Sequence, residues 1–149
     1  MKVIFLDVDG VLNCQSFVLS NLKEIDQSKI NLLKKLIEET EARVVITSSW
    51  KNIKADREKL KEALNDSKIE ILGYTKKLFL EDGHVALRGT EIKEYLRENK
   101  NINSFVILDD EIFKDYDEFL LEHLVKTSFY ENGLEEKHIE QAKKILTKK

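Results

Sequence analysis

The chain has 149 residues, of which 42% are apolar and 36% charged, and its formal net charge is -3 at pH 7. This length and composition predict one folded domain over residues 1–149 and argue against a disordered chain. No apolar run approaches the roughly 18 residues of a membrane-crossing helix, and the small negative charge gives no overall attraction to nucleic acid.

The first half of the chain alternates short apolar runs with helical periodicity. Lys2–Leu6 predicts a fully buried strand, residues 44–46 predict a second one, and residues 52–64 predict a charged helix. Another helix is predicted over residues 30–39, before the second strand. Its apolar face collects Ile30, Leu33, Leu36 and Ile37.

The second half continues the same alternation. Residues 69–72 could form a third strand, residues 105–108 predict a further buried strand, and residues 123–127 suggest a short edge strand. Helices are predicted over residues 89–99 and, at the end of the chain, over residues 133–146. Their inward faces collect Ile92, Tyr95 and Leu96 in the first helix and Ile139, Ala142, Ile145 and Leu146 in the second.

This alternation indicates the fold class. Strands that are apolar on both faces and separated by helices favour a mainly parallel sheet that is covered on each side. We therefore predict an α/β, three-layer, Rossmann-like domain with the sheet between helices. In such folds the functional groups gather beyond the C-terminal ends of the strands.

Three of the predicted strands are followed by side chains that carry oxygen. These are Asp7 and Asp9 after the first strand, Thr47, Ser48 and Ser49 after the second, and Asp109 and Asp110 after residues 105–108. In a parallel sheet the three groups meet at one edge, where carboxylates this close repel one another unless a cation or a proton relieves them. Carboxylate oxygens suit Mg²⁺, and hydroxyls with helix-start amides suit a phosphate. The strand ends therefore predict a magnesium site that holds a phosphate.

Four motifs follow one another across nearly the whole chain. They are FLDVDGV, VVITSSW, LRGTEI and VILDDE. In these motifs the chain resembles the haloacid dehalogenase-like (HAD) hydrolases, which are mostly Mg²⁺-dependent phosphatases. More narrowly, TSSW, RGTEI, ILDDE and the late GLEEKHIEQA look like the small HAD domain associated with RNA-repair proteins. The resemblance implies an HAD-like fold and a phosphatase activity.

The resemblance also implies roles for the acidic residues. Asp7 would attack phosphorus and become an aspartyl phosphate, while Asp9 would protonate the leaving oxygen and then activate a water. Mg²⁺ would bind the Asp7 carboxylate, the Asp9 main-chain carbonyl and an acid of the last motif. For that acid we prefer Asp110 to Asp109, and Asp115 could hold a metal-bound water.

The phosphate would be bound by the second and third motifs. The resemblance implies that Thr47, helped by the Ser48 amide, binds phosphoryl oxygens and that a cation stabilises their charge. Because the guanidinium fork suits phosphate, we choose Arg88 for that cation, although lysine is the commoner residue and Lys76 or Lys77 could replace it.

Other conspicuous residues have structural interpretations. Cys14, the single cysteine, is interpreted as packing, and Trp50 as packing rather than as a wall of the substrate entrance. The Lys/Glu-rich stretch over residues 51–68 is predicted to be a solvated helix face. The residues without metal-ligand spacing, interpreted as structural or exposed, are His84, His123 and His138.

The spacing of the motifs leaves no room for a large cap domain. Residues 10–46 and 48–108 are mostly used by the predicted helices and strands. The site should therefore be open and accept a bulky phosphorylated substrate, such as an RNA or DNA end or a protein, with nucleotides also open. We expect no membrane association and infer no obligate protein partner. A cytoplasmic location follows from the lack of a signal-peptide pattern and from the lone cysteine.

Two other functions fit part of the pattern. A phospho-accepting, receiver-like signalling module also combines acidic residues, a Thr or Ser and a Lys on a parallel sheet. The order of motifs counts against it, because the strand that ends in Thr-Ser-Ser lacks the aspartate that such a module needs there. A domain that binds phosphorylated ends without hydrolysis is the third possibility, and the complete set of motifs argues against it.

Overall fold

A computed structural model of the chain describes residues 1–148. The strands are β1 (Lys2–Leu6), β2 (Arg43–Ile46), β3 (Ile71–Tyr74), β4 (Ser104–Asp109) and β5 (Leu124–Lys126). The α-helices are α1 (Gln15–Asn21), α2 (Gln27–Thr40), α3 (Lys54–Asp66), α4 (Arg88–Glu98), α5 (Glu118–Leu121) and α6 (Glu136–Thr147). A short 3-10 helix spans Ser49–Asn52.

The strands form one parallel sheet in the order β3-β2-β1-β4-β5. In the register of the central strands, Leu6 lies opposite Ile46 on one side and Leu108 on the other. The ladder continues past β1, since the Asp7 amide donates to the Leu108 carbonyl at 3.0 Å. The C-terminal ends of β1, β2 and β4 therefore lie side by side, as the sequence predicted.

Helices cover both faces of the sheet. In β1, Ile4 and Leu6 point into the core under α2, α3 and α6, whereas Val3 and Phe5 point into the core under α4 and α5. This alternation explains why the strand is apolar throughout, because each face is buried against a helix layer. The predicted three-layer α/β fold is confirmed.

Several predicted element boundaries are shifted, including the start of α2, which lies at Gln27 instead of at residue 30. The third strand is Ile71–Tyr74 instead of 69–72, because the Ile69 amide donates to Leu64 at the end of α3 and so belongs to the exit from that helix. The charged helix starts at Lys54, after the 3-10 helix. The last helix begins at Glu136 instead of at Gly133, because Gly133 has a φ of +60°.

Two short helices were not predicted. α1 has no buried residues, so it lacks the one-sided apolar face that makes a helix visible in a sequence. α5 is a single turn, capped by the Asp117 carboxylate that accepts from the Leu120 amide at 3.0 Å.

The connections that border the site are short. Residues 75–87 contain a small hairpin in which Phe79 bridges Val85 in antiparallel fashion. Within residues 1–148 no connection is long enough to form a large cap, in agreement with the sequence prediction. No helix in this part of the chain has the length and apolar character needed to cross a membrane.

Candidate active site

Three carboxylates gather where β1 and β4 end. Asp7 directly follows β1, Asp109 is the last residue of β4, and Asp110 comes next. One oxygen from each of the three lies within 4.8 Å of the other two. Asp7 and Asp109 are buried, whereas Asp110 is partly exposed at the mouth of the site.

The charge balance of this cluster fits a bound cation. Burial raises the pKa of the Asp7 carboxyl well above its usual value, and the nearby Asp109 charge adds to the rise although Arg88 opposes it. Burial and Asp109 likewise raise the pKa of Asp110. The ionised cluster is therefore costly by itself, and a divalent cation among the oxygens would relieve it. The three acids could hold a metal ion.

Arg88, the first residue of α4, reaches into this cluster. Its Nη1 atom lies 3.2 Å from Asp7 Oδ1 and 2.8 Å from Asp109 Oδ2. Burial alone would lower the pKa of the guanidinium, but the two carboxylates raise it overall, so Arg88 keeps its charge. The alternative cations lie elsewhere, since Lys76 is exposed and pairs with Glu98, and Lys77 is also exposed.

Asp109 and Asp110 differ in how many of their oxygens are already bonded. Asp109 accepts from Arg88 Nη1, from the Tyr116 hydroxyl at 3.2 Å and from the Glu111 amide at 3.0 Å. Asp110 packs beneath Gly10, where a Cβ atom would lie only 2.2 Å from Asp110 Oδ2. Asp109 is thus fixed within the protein, while Asp110 faces the mouth of the site.

Asp9 is oriented by two side chains. Asn13 Nδ2 donates to Asp9 Oδ1 at 3.0 Å, and Trp50 Nε1 donates to Asp9 Oδ2 at 3.1 Å. Asn13 Oδ1 also accepts from the Gly10 amide at 2.8 Å, and its Nδ2 donates to the Glu24 carbonyl at 2.7 Å. The turn that carries Asp9 is therefore fixed by Asn13, a residue that the sequence analysis did not single out.

Thr47 has an unusual hydroxyl. Its Oγ1 atom is buried and has no hydrogen-bond partner among residues 1–148. An unbonded buried hydroxyl is costly, so a ligand that accepts its hydrogen bond would be favoured there. Ser48, next to it, uses its own hydroxyl to accept from the Trp50 amide at 3.2 Å, which starts the 3-10 helix.

Lys51 is the clearest departure from the sequence prediction. The stretch over residues 51–68 was predicted to be solvated, but the Lys51 ammonium is buried and donates to Glu91 Oε1 at 3.0 Å and to the Thr47 carbonyl at 3.1 Å. The 3-10 helix turns this side chain inward towards α4. Lys51, Thr47 and Arg88 line one cavity of about 160 Å³, which we call the cationic cavity.

Asp115 lies at the start of α4 and outside the three-acid cluster. Its carboxylate accepts from the Gly89 amide at 3.0 Å and from the Thr90 amide and hydroxyl at 2.6 and 2.9 Å. A Cβ atom on Gly89 would lie 2.7 Å from the Asp115 carbonyl, so this close approach requires glycine. Asp115 therefore fixes the helix end that carries Arg88.

The remaining side chains occupy structural or exposed positions. Trp50 is buried as expected, but its indole N–H also reaches Asp9. Cys14 is buried and free. The histidines follow the prediction: His123 stacks on Phe105, His138 caps α6, and His84 lies on the surface beside Asp82.

The comparisons with known proteins agree with the motifs. A family model described as "HAD domain in Swiss Army Knife RNA repair proteins" matches residues 3–139. No curated protein and no solved structure gives a significant match. The match confirms the resemblance that the four motifs indicated, and it spans every residue of the site described above.

Proposed function

The chain belongs to the HAD domain family of Swiss Army Knife RNA repair proteins, and we propose that it is a Mg²⁺-dependent phosphomonoesterase acting through an aspartyl phosphate on Asp7. Membership of the family implies a hydrolase. One observation carries the finer proposal: the clustered acids that follow β1 and β4 and the buried, unpartnered hydroxyl of Thr47, which follows β2, lie at one edge of the sheet.

In the first step a carboxylate oxygen of Asp7 forms a bond to phosphorus while the bond to the ester oxygen breaks. Asp9 gives its proton to that leaving oxygen. In the second step Asp9 takes a proton from a water, which attacks the phosphoryl group and releases phosphate and free Asp7. The reaction needs two carboxylates, because one acts as the nucleophile while the other carries a proton.

The phosphoryl oxygens would be bound by residues of the cationic cavity. Thr47 Oγ1 would donate the hydrogen bond for which it has no partner within the described chain. Arg88 already contacts Asp7, so its charge lies where negative charge grows during the transfer. Lys51 adds a second positive charge behind Thr47, although its ammonium is shared with Glu91.

The metal ligands proposed are the Asp7 and Asp110 carboxylates and the Asp9 main-chain carbonyl. Asp109 would support these ligands without binding the metal itself, because Arg88 and Tyr116 already donate hydrogen bonds to its carboxylate. Mg²⁺, when bound, would offset the charge of the acids and of the phosphoryl group during transfer.

The proposed substrate is an accessible phosphate, with RNA or DNA ends and nucleotides as the candidate classes. The absence of a large cap within residues 1–148 supports a substrate that extends out of the site. The family description, which names RNA repair, favours nucleic-acid phosphates. A buried free Cys14 fits the cytoplasm, where we place the enzyme.

Hydrolysis of a generic aryl phosphate by the purified protein tests this function. We expect turnover with Mg²⁺, no turnover after EDTA, and background activity in Asp7→Asn. The matched control is Asp66→Asn, which removes the same charge from an exposed position on α3 and should retain activity. Turnover that persists in Asp7→Asn would refute the assignment of Asp7 as the nucleophile.

The same experiment separates the two other functions. Wild-type protein that becomes phosphorylated and stays so, without releasing phosphate, would indicate a phospho-accepting module. Binding of phosphorylated ends without any phosphoenzyme or turnover would indicate a domain that only recognises ends.

A further inference from the structure

We infer that a second cavity, beside Asp9, receives the leaving group and that it binds a neutral planar ring, the base of a terminal nucleotide, on Tyr130. This inference rests on the proposed function and specifies its substrate. The cavity has a volume of about 440 Å³. The residues that line it include Asp9, Asn13, Glu24, Asp110, Phe129 and Tyr130.

The two cavities of the site differ in charge. The cationic cavity is lined by two cations, Arg88 and Lys51, and by one carboxylate, that of Glu91, so its positive groups, which suit the phosphoryl group, outnumber its acid. Within the described chain, the residues lining the cavity beside Asp9 include three carboxylates and neither lysine nor arginine. Since Asp9 is the proposed proton donor to the leaving oxygen, the leaving group extends into this second cavity. Within the cavity itself a neutral group, the sugar and base of the terminal nucleotide, is favoured over a further phosphate.

Tyr130 supplies the surface on which a ring can stack. Its side chain is among the most exposed large hydrophobic groups of the described chain, with 78% of its surface accessible. The Phe129 ring stands nearly perpendicular to it, with 5.5 Å between ring centres, and so supports it from one side. Bases stack on such exposed rings without regard to sequence, because every base has a flat π face.

The backbone ties the Tyr130 loop to the turn that carries Asp9. Thr127 Oγ1 donates to the Gly10 carbonyl at 2.6 Å, and the Gln15 amide donates to the Phe129 carbonyl at 2.8 Å. On the far side of the loop, a Cβ atom on Gly133 would lie 2.4 Å from the Asn13 carbonyl oxygen. The loop that carries Tyr130 is therefore held at a fixed place relative to the reacting groups, as the support of a specificity residue must be.

The experiment compares substrates with and without a base. Tyr130→Ala should lower kcat/KM for a nucleoside monophosphate or a phosphorylated oligonucleotide about 5- to 100-fold, the effect of losing one base stack. Hydrolysis of glycerol phosphate, which has no ring, should change by less than about twofold. Tyr130→Phe keeps the ring and should retain activity on all three substrates.

Phe119→Ala is the matched control. Phe119 is also an exposed aromatic residue, but it packs against His123 on the α5 side and does not line the cavity. This variant should hydrolyse all three substrates with the kcat/KM of the wild type. Equal losses on all substrates in Tyr130→Ala, or no loss on any, would overturn the inference.

Equilibrium binding separates this inference from the proposed function. In an Asp7→Asn background, a phosphorylated oligonucleotide should bind more weakly when Tyr130 is also changed to alanine. That result would support the base subsite even if the wild type hydrolysed no phosphate at all. Equal binding with and without the ring would reject the subsite while leaving the phosphatase intact. Dependence on Tyr130 for mononucleotides as well as oligonucleotides points to single nucleotides, and dependence for oligonucleotides alone points to chain ends.

Discussion

The indole N–H of Trp50 donates a hydrogen bond to Asp9 Oδ2 at 3.1 Å, across two different strand ends. Asn13 holds the other oxygen of the same carboxylate. Both carboxylate oxygens of Asp9, the proposed general acid, are therefore oriented by side chains. One of these side chains comes from the turn after β1 and the other from the turn after β2. A residue that looks like simple packing in the sequence thus acts on the site through Asp9.

Trp50→Phe should lower kcat about 10- to 100-fold with little change in KM, because a smaller aromatic ring still packs there while the N–H that orients Asp9 is lost. The measurement is steady-state kinetics on a series of phosphate esters. The loss should be largest for alkyl phosphates, whose leaving oxygen needs a proton, and smallest for aryl phosphates with acidic phenols. A loss of the same size across the series would indicate general damage to the fold instead.

Asp110→Asn should abolish stabilisation by Mg²⁺, because it removes a proposed ligand. In the wild type, Mg²⁺ at ten times its dissociation constant should stabilise the fold by about 1.4 kcal/mol, a rise in Tm of roughly 4 °C. Without metal the variant should be at least as stable as the wild type, since one repelling charge is gone. Thermal unfolding with and without Mg²⁺ measures both effects. Asp66→Asn, the control, should keep the full rise in Tm with Mg²⁺. An unchanged rise in Asp110→Asn would exclude Asp110 as a metal ligand.

Arg88→Lys should reduce kcat/KM on the order of 10- to 100-fold, because an ammonium lacks the planar fork whose other N–H groups can bind a phosphoryl oxygen while Nη1 contacts Asp7 and Asp109. Lys76→Ala should leave the rate within about twofold, since surface ion pairs such as the one to Glu98 contribute little. Kinetics of the two variants under the same conditions decide between these cations. The opposite ranking would make Lys76 the third-motif residue.

Gly10→Ala should destabilise the protein and impair metal binding. Gly10 has a φ of +86°, and a Cβ atom there would displace the Asp110 carboxylate. The backbone strain alone is worth about 1 to 3 kcal/mol. Gly83→Ala is the control, because Gly83 has a φ of +88° but nothing within 4 Å of a Cβ atom. Denaturant unfolding should show a larger loss for Gly10→Ala, and equal losses would mean that the Asp110 contact is unimportant.

The fold could be predicted because its signals are local. An apolar run such as Lys2–Leu6 is buried on both faces, and in a parallel sheet this also places Asp7 at the functional edge. The same reasoning predicted that Thr47 and Asp109 lie beside Asp7, and the register of the strands confirms this. α1 escaped prediction because a helix without a buried face leaves no apolar period in the sequence.

The supporting residues of the site could not be predicted, because their reasons are contacts between distant parts of the chain. Lys51 stands in a charged stretch, and only the carboxylate of Glu91 on another helix explains why it is buried. The role of Asn13 depends on the turn around Gly10 and on the Glu24 carbonyl. The role of Asp115 could not be predicted either. Its position after the last motif suggested that it holds a metal-bound water, but its carboxylate accepts hydrogen bonds from the start of α4.

Mass spectrometry of protein quenched in acid during turnover tests Asp7 as the nucleophile most directly. With an aryl phosphate, the wild type should carry one phosphoryl group on the peptide that contains Asp7. Asp9→Asn should carry more of it, because that leaving group needs no proton while the second step still needs a base. Asp7→Asn should carry none. A phosphoryl group on any other residue, or rapid turnover with no phosphoenzyme in either the wild type or Asp9→Asn, would contradict the account.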